Sequence, residues 1–193
     1  MQNLKKIVII GPESTGKSSL CKLLAEHYAT EWCPEFARDY LLNHGIHYSF
    51  DDLATIAKGQ IDLEDSFASI VQTAPQYLTD DINKTKLLFL DTDMYVMKVW
   101  CEFVFGKCHQ FILDEIVNRK YDLYLLCNID LPWVQDELRE YPDEKPRQEL
   151  YNIYKDILIN QQVPWVEISG DYAQRLQTSI AAIDELIIAK KSF

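Results

Sequence analysis

Residues 11–18 read GPESTGKS, a match to the pattern G-x-x-x-x-G-K-[ST]. Those residue types at that spacing are suited to holding a polyphosphate. Backbone N–H groups along Gly11, Pro12, Glu13, Ser14, Thr15 and Gly16, and on through Ser19 at the start of a helix, cradle phosphate oxygens; proline alone brings no N–H. Lys17 reaches the β- and γ-phosphates, and the Ser18 hydroxyl is placed for Mg²⁺. The motif names a nucleoside triphosphate such as ATP and leaves open what the phosphate is for.

Three further clusters carry chemistry. Asp91 and Asp93, in FLDTD, admit two readings: one acid caps the helix beginning near Met94, or one supports Mg²⁺ and the other takes a substrate hydroxyl. PEFARDY brings Glu35, Arg38 and Asp39, either a charged first turn of a helix or a ribose acceptor (Glu35) beside a phosphate ligand (Arg38). In DLPWVQDELREYPDEKPRQELYNIY, Asp130 reads as a helix N-cap, and Asp136 and Arg139 fall one turn apart on a common face. Pro142 and Pro146 bracket a charged loop ending in Arg147. Arginines on a lid over about 136–148 would offset charge on a transferring phosphoryl group, though a solvated hairpin has the same composition. Trp133 is either core or a flat wall for an aromatic base.

The elements that position these residues follow from apolar patterning. KKIVII (5–10), the segment 30–33, residues 86–90, YDLYLLCN (121–128) and PWVEIS (164–169) read as strands apolar on both faces. Helices are expected over 17–28, 35–43, 94–106, 108–120, 146–160 and 173–190. A long helix, whole or broken, opens at a Ser49/Asp52 capping box. Strands alternating with helices imply one α/β domain over 1–193, three layers around a mostly parallel five-stranded sheet of the P-loop nucleoside triphosphate hydrolase type. Ligands of such sheets sit beyond the C-terminal strand ends. Gly11, Glu35, Asp91, Asp93 and Asp130 all fall there, which points to one shared site.

Composition narrows the function. The net charge of −11 argues against a broad nucleic-acid surface. No apolar run approaches the roughly 18 residues of a membrane span, and no signal peptide is legible, so a cytoplasmic protein is expected. Five cysteines without a C-x-x-C pair, and four histidines without metal spacing, imply neither a disulfide framework nor a zinc site. The apolar YVMKVWCEFVF is either core or the face of a homo-oligomer.

Signalling GTPases need D-x-x-G, and no Asp stands three residues before any of the six glycines. A motor or AAA-type ATPase is expected to be longer. What remains is a small-molecule kinase, with an ATP-binding regulatory module as the rival. In GPESTGKS, PEFARDY, FLDTD and YDLYLLCNIDLPWVQDELR the chain resembles the ribosylnicotinamide kinase domain of the bacterial bifunctional NAD-biosynthesis regulator, within a wider group of P-loop ATPase/kinase-like proteins. The resemblance implies transfer of phosphate from ATP, with Mg²⁺, to the 5′-hydroxyl of nicotinamide riboside or a similar nucleoside. It places Glu35, Arg38, Asp91, Asp93, Asp130, Trp133, Asp136 and Arg139 at matching motif positions, with Arg147 a lid residue toward ATP. Asp91 or Asp93 is expected as the base, Glu35 second. The companion adenylyltransferase domain and DNA-binding region of that regulator are not expected here.

Overall fold

The structure is a computed structural model describing residues 4–74 and 85–188. Five strands, β1 (Leu4–Ile10), β2 (Trp32–Cys33), β3 (Lys86–Leu90), β4 (Leu123–Cys127) and β5 (Trp165–Ile168), form one sheet in the order β2-β3-β1-β4-β5. Every pairing is parallel. The strand order reverses at β1, so the crevice beyond its C-terminal end is where a ligand is expected, and GPESTGKS begins there.

Alternation along β1 builds two cores. Ile7 and Ile9 face a layer containing Leu20 and Leu24 of α1 (Lys17–Tyr28) and Ile183 of α7 (Tyr172–Ile183). Val8 and Ile10 face Val96 and Val99 of α4 (Met94–Phe105) and Leu150, Tyr154 and Leu158 of α6 (Glu144–Ile159). A third cluster joins α2 (Phe36–His44), α3 (Phe50–Thr73), α4 and α5 (Gln110–Asn118) through Leu53, Ile56, Met97 and Ile112.

The expected strands and helices form within a few residues. The capping box is present, with Ser49 and Asp52 exchanging side-chain-to-backbone bonds, and α3 runs unbroken for 24 residues. The terminal helix changes to a π-helical turn over Asp184–Ile188; its expected residues 189–190 lie outside the described part. The chain between β4 and α6 holds no helix, so Asp130 is no helix N-cap. Arg147, expected at a loop end, instead lies in the first turns of α6, which starts at Glu144.

Candidate functional site

β1 ends at Ile10, and the chain turns so tightly against β4 that a Cβ on Gly11 would come 2.7 Å from the Cys127 carbonyl oxygen. Ser14 takes a left-handed conformation (φ 58°), which is uncommon outside glycine. Gly16 (φ 77°) then enters α1, and no side chain caps it. The first-turn N–H groups of α1 are therefore free for an anion, with the helix dipole behind them. Lys17 Nζ and Thr15 Oγ1 both donate to the Pro12 carbonyl, at 2.8 and 2.7 Å. The loop is closed on itself, and its lysine is held at the mouth.

This loop forms one end of a cleft of about 500 Å³, within the range of small-molecule sites. Gly11 to Ser19 line it, as do Glu35, Arg38, Asp91 and Arg139. Val96, Val99, Trp100 and Phe103 of α4 and Tyr154 of α6 supply an apolar, aromatic wall. These α4 residues recur at i, i+3, i+4 and i+7, so the apolar run read as core or oligomer face turns one stripe toward the cleft.

The two acids after β3 have separate fates. Asp93 is the N-cap of α4: one oxygen accepts from the Tyr95 and Val96 N–H groups, the other from the Tyr124 hydroxyl at 2.7 Å. It does not line the cleft. The expectation that Asp93 binds or activates substrate is corrected: its carboxylate is committed to structure. Burial raises its pKa to about 6 against the pull of those bonds. Asp91 does line the cleft, is 2% exposed, and its Oδ1 has no hydrogen-bond partner. Burial raises its pKa to about 7; Lys17 and Ser18 oppose the rise, and the Glu35 charge adds to it. A buried carboxylate oxygen without a donor, beside a hydroxyl and a phosphate loop, fits Mg²⁺, which takes few protein oxygens and completes its shell with water and phosphate. Glu35, at the N-cap of α2, uses no side-chain capping bond. Burial raises its pKa, with Lys17 and Arg38 opposing.

The segment from Asp130 to Tyr141 is an irregular strap held across the phosphate loop. Glu13 accepts from the Glu140 N–H at 3.1 Å and from the Tyr141 N–H, and Ser14 Oγ accepts from the Val134 N–H at 3.1 Å and from Arg139 Nη1 at 3.3 Å. Asp136 pairs with Arg38 through bonds of 3.0 and 3.3 Å, so its partner is on α2 and the expected Asp136–Arg139 helical pair does not form. Trp133 meets Arg139 and Arg147 over its ring at 5.8 and 5.4 Å and lies off the cleft. Its role as a base wall is corrected: it is a cation–π platform for two guanidinium groups. Asp130 is likewise off the cleft, bonded to the Gly170 N–H at 2.6 Å and to Arg175. Arg147, 5% exposed, leaves Nε and Nη2 without partners.

Sequence reasoning missed the aromatic stripe of α4, Tyr154, the strap contacts of Glu13, and Arg175. Only the stripe had a signal, its helical spacing.

A phosphate loop after the central strand of a parallel sheet ordered β2-β3-β1-β4-β5 defines a P-loop fold. A family model described as an AAA domain matches residues 6–175, and the chain belongs to that family. The expectation that so short a chain falls outside AAA-type proteins is thereby corrected at family level. The chain is 28% identical over 189 residues to the trifunctional NAD biosynthesis/regulator protein NadR of Escherichia coli (strain K12), over 95% of this chain and 43% of that protein. The corresponding Salmonella typhimurium protein is 26% identical with the same coverage. The chain thus spans less than half the length of these curated relatives. A crystal structure of NadR in complex with NR superposes with a TM-score of 0.73 at 23% identity, covering 94% of this chain and 49% of that one. Thymidylate kinase from Ehrlichia chaffeensis gives 0.58 at 12% identity, covering 93% and 98%. The fold is that of P-loop kinases.

Proposed function

We propose that the protein is an ATP-dependent nucleoside kinase that phosphorylates nicotinamide riboside at its 5′-hydroxyl. One observation carries the reading: a single cleft runs from the phosphate loop to an aromatic wall, with Glu35 and Asp91 both lining it. A kinase needs a donor subsite, an acceptor subsite and an acid between them, and a regulatory module needs only the first. The NadR relationship, and the NR complex of one of its structures, favour the nicotinamide nucleoside. An aromatic wall accepts any flat base, which keeps another nucleoside as the second reading.

In this account the loop N–H groups and Lys17 hold the ATP phosphates. Ser18 and Asp91 would hold Mg²⁺, which when bound would offset phosphate charge. Glu35 takes the proton of the acceptor hydroxyl, because its oxygens make no capping bond and burial keeps its basicity above that of an exposed glutamate. Arg139, anchored on the Ser14 hydroxyl, offsets charge on the transferring group. Residues 130–141 act as a lid, shorter and earlier than the 136–148 expected from sequence. Arg38 orients the lid through Asp136, and Arg147 supports it through Trp133.

Steady-state ADP release with Mg-ATP and a panel of nucleosides tests the proposal. Release stimulated by nicotinamide riboside above all others is expected. Stimulation by a different nucleoside replaces the substrate, and ATP binding without stimulation by any of them overturns the kinase reading.

A further inference from the structure

Among the described residues Arg175 is the largest fully buried side chain, 1% exposed, on a helix whose other end packs into the core. A buried guanidinium is costly unless its donors are met, and here four contacts are made against its five N–H donors. Nη1 donates to the Thr15 carbonyl at 3.0 Å, Nε to the Gly170 carbonyl at 2.7 Å, and Nη2 to the Asn128 carbonyl at 3.0 Å and to the Asp130 carboxylate. The acceptors come from three separate segments: the phosphate loop after β1, the chain after β4 and the turn after β5. A planar fork with five fixed donors spans such a set, and a lysine ammonium does not.

The Thr15 contact bears on the site. In a trans peptide the carbonyl of one residue and the N–H of the next point in opposite directions. Holding the Thr15 carbonyl toward Arg175 therefore holds the Gly16 N–H away from it, and Gly16 lines the cleft. The position of Arg175 is itself set. An Asp171/Gln174 capping box starts α7, the Arg175 N–H bonds the Asp171 carbonyl at 2.9 Å, and the adjoining Gly170 (φ 92°) turns its carbonyl to Nε. We propose that Arg175 is a positioning residue for phosphate binding: it orients the Thr15–Gly16 peptide of the cradle and locks it in register with the ends of β4 and β5. Asp130 is then the counter-ion of this lock. The inference rests on the reading that the loop binds a nucleoside triphosphate.

Calorimetric titration with Mg-ATP and, separately, nicotinamide riboside tests it, alongside the Gly16 amide resonance in ¹⁵N-labelled protein. Arg175→Lys is expected to weaken ATP binding about tenfold or more, the scale of one lost charge-assisted bond. It should leave nicotinamide riboside affinity within about twofold and shrink the shift of the Gly16 amide on ATP addition. A folded Arg175→Lys protein that binds ATP like wild type, with an unaltered Gly16 shift, overturns the inference alone. Wild-type protein that fails to bind ATP overturns the reading of the loop and this inference with it. If circular dichroism finds Arg175→Lys unfolded, Asp130→Asn carries the test, because that side chain is part-exposed and the arginine stays in place. Its ATP affinity is then expected to fall about threefold to tenfold, with nicotinamide riboside affinity unchanged, and unchanged ATP affinity overturns the inference.

Discussion

Replacing Asp91 by Asn should make the protein more stable and less active. The carboxyl is 2% exposed with an unpartnered oxygen, and its pKa is raised from 3.8 to about 7, chiefly by burial. At about 1.4 kcal/mol per pKa unit, the ionised group costs the fold roughly 4 kcal/mol relative to the unfolded chain. The sign follows from proton counting: between 3.8 and about 7 the native state binds more protons than the unfolded one, so stability falls as pH rises. The cost is absent below the lower value, roughly 1.5 kcal/mol near pH 5, and complete above the upper one. Asn removes the charge and leaves a buried amide to satisfy, at about 1–3 kcal/mol. Near pH 8 the net gain of Asp91→Asn should be roughly 1–3 kcal/mol, a rise in Tm of about 2–4 °C per kcal/mol at this chain length. Near pH 5 it should vanish or reverse. Urea denaturation at both pH values, without nucleotide, measures the difference, and a Mg-ATP assay should find turnover down about a hundredfold or more. A variant no more stable than wild type near pH 8, or one whose advantage ignores pH, would mean that the buried Asp91 charge carries no such cost.

Glu35→Gln should lower kcat/KM by about 10²- to 10⁴-fold with ATP affinity intact. Because the base must be ionised, wild-type activity should fall as pH drops through the raised Glu35 pKa, and kinetics across pH should find that limb missing from Glu35→Gln. Glu13→Ala frees the Glu140 and Tyr141 N–H groups; hydrogen exchange at those two amides should quicken about tenfold or more. Gly59→Ala, inside α3, would set a Cβ 2.2 Å from the Phe36 ring. Despite the better helix propensity of alanine, thermal melting should show a loss of about 1–3 kcal/mol.

The sheet was legible because its central strands are short, continuous apolar runs, β-branched in β1, and the phosphate loop because its spacing is demanded by the ligand. The acids were legible as a group and ambiguous singly. Asp91 and Asp93 stand two residues apart; Asp93 caps α4 through the local Tyr95 and Val96 N–H groups, and the tertiary placement of Tyr124 is what commits its second oxygen. Residues 130–141 misled because Asp130 suits a helix N-cap and Asp136 and Arg139 stand three residues apart, one helical turn, while their partners (Arg175, Arg38, Ser14) lie far away in sequence. Arg175 had no local signal at all. Its acceptors are mostly backbone carbonyls, which every residue has, and only packing brings them together.

The proposed reaction is transfer of a phosphoryl group to a nucleoside hydroxyl. Its most direct test is to incubate the protein with Mg-ATP and nicotinamide riboside and identify the product by mass spectrometry and ³¹P NMR. ADP and nicotinamide mononucleotide are expected in equal amounts, with the new phosphorus coupled to the 5′ protons. ADP formed together with free phosphate and unaltered nucleoside would contradict it.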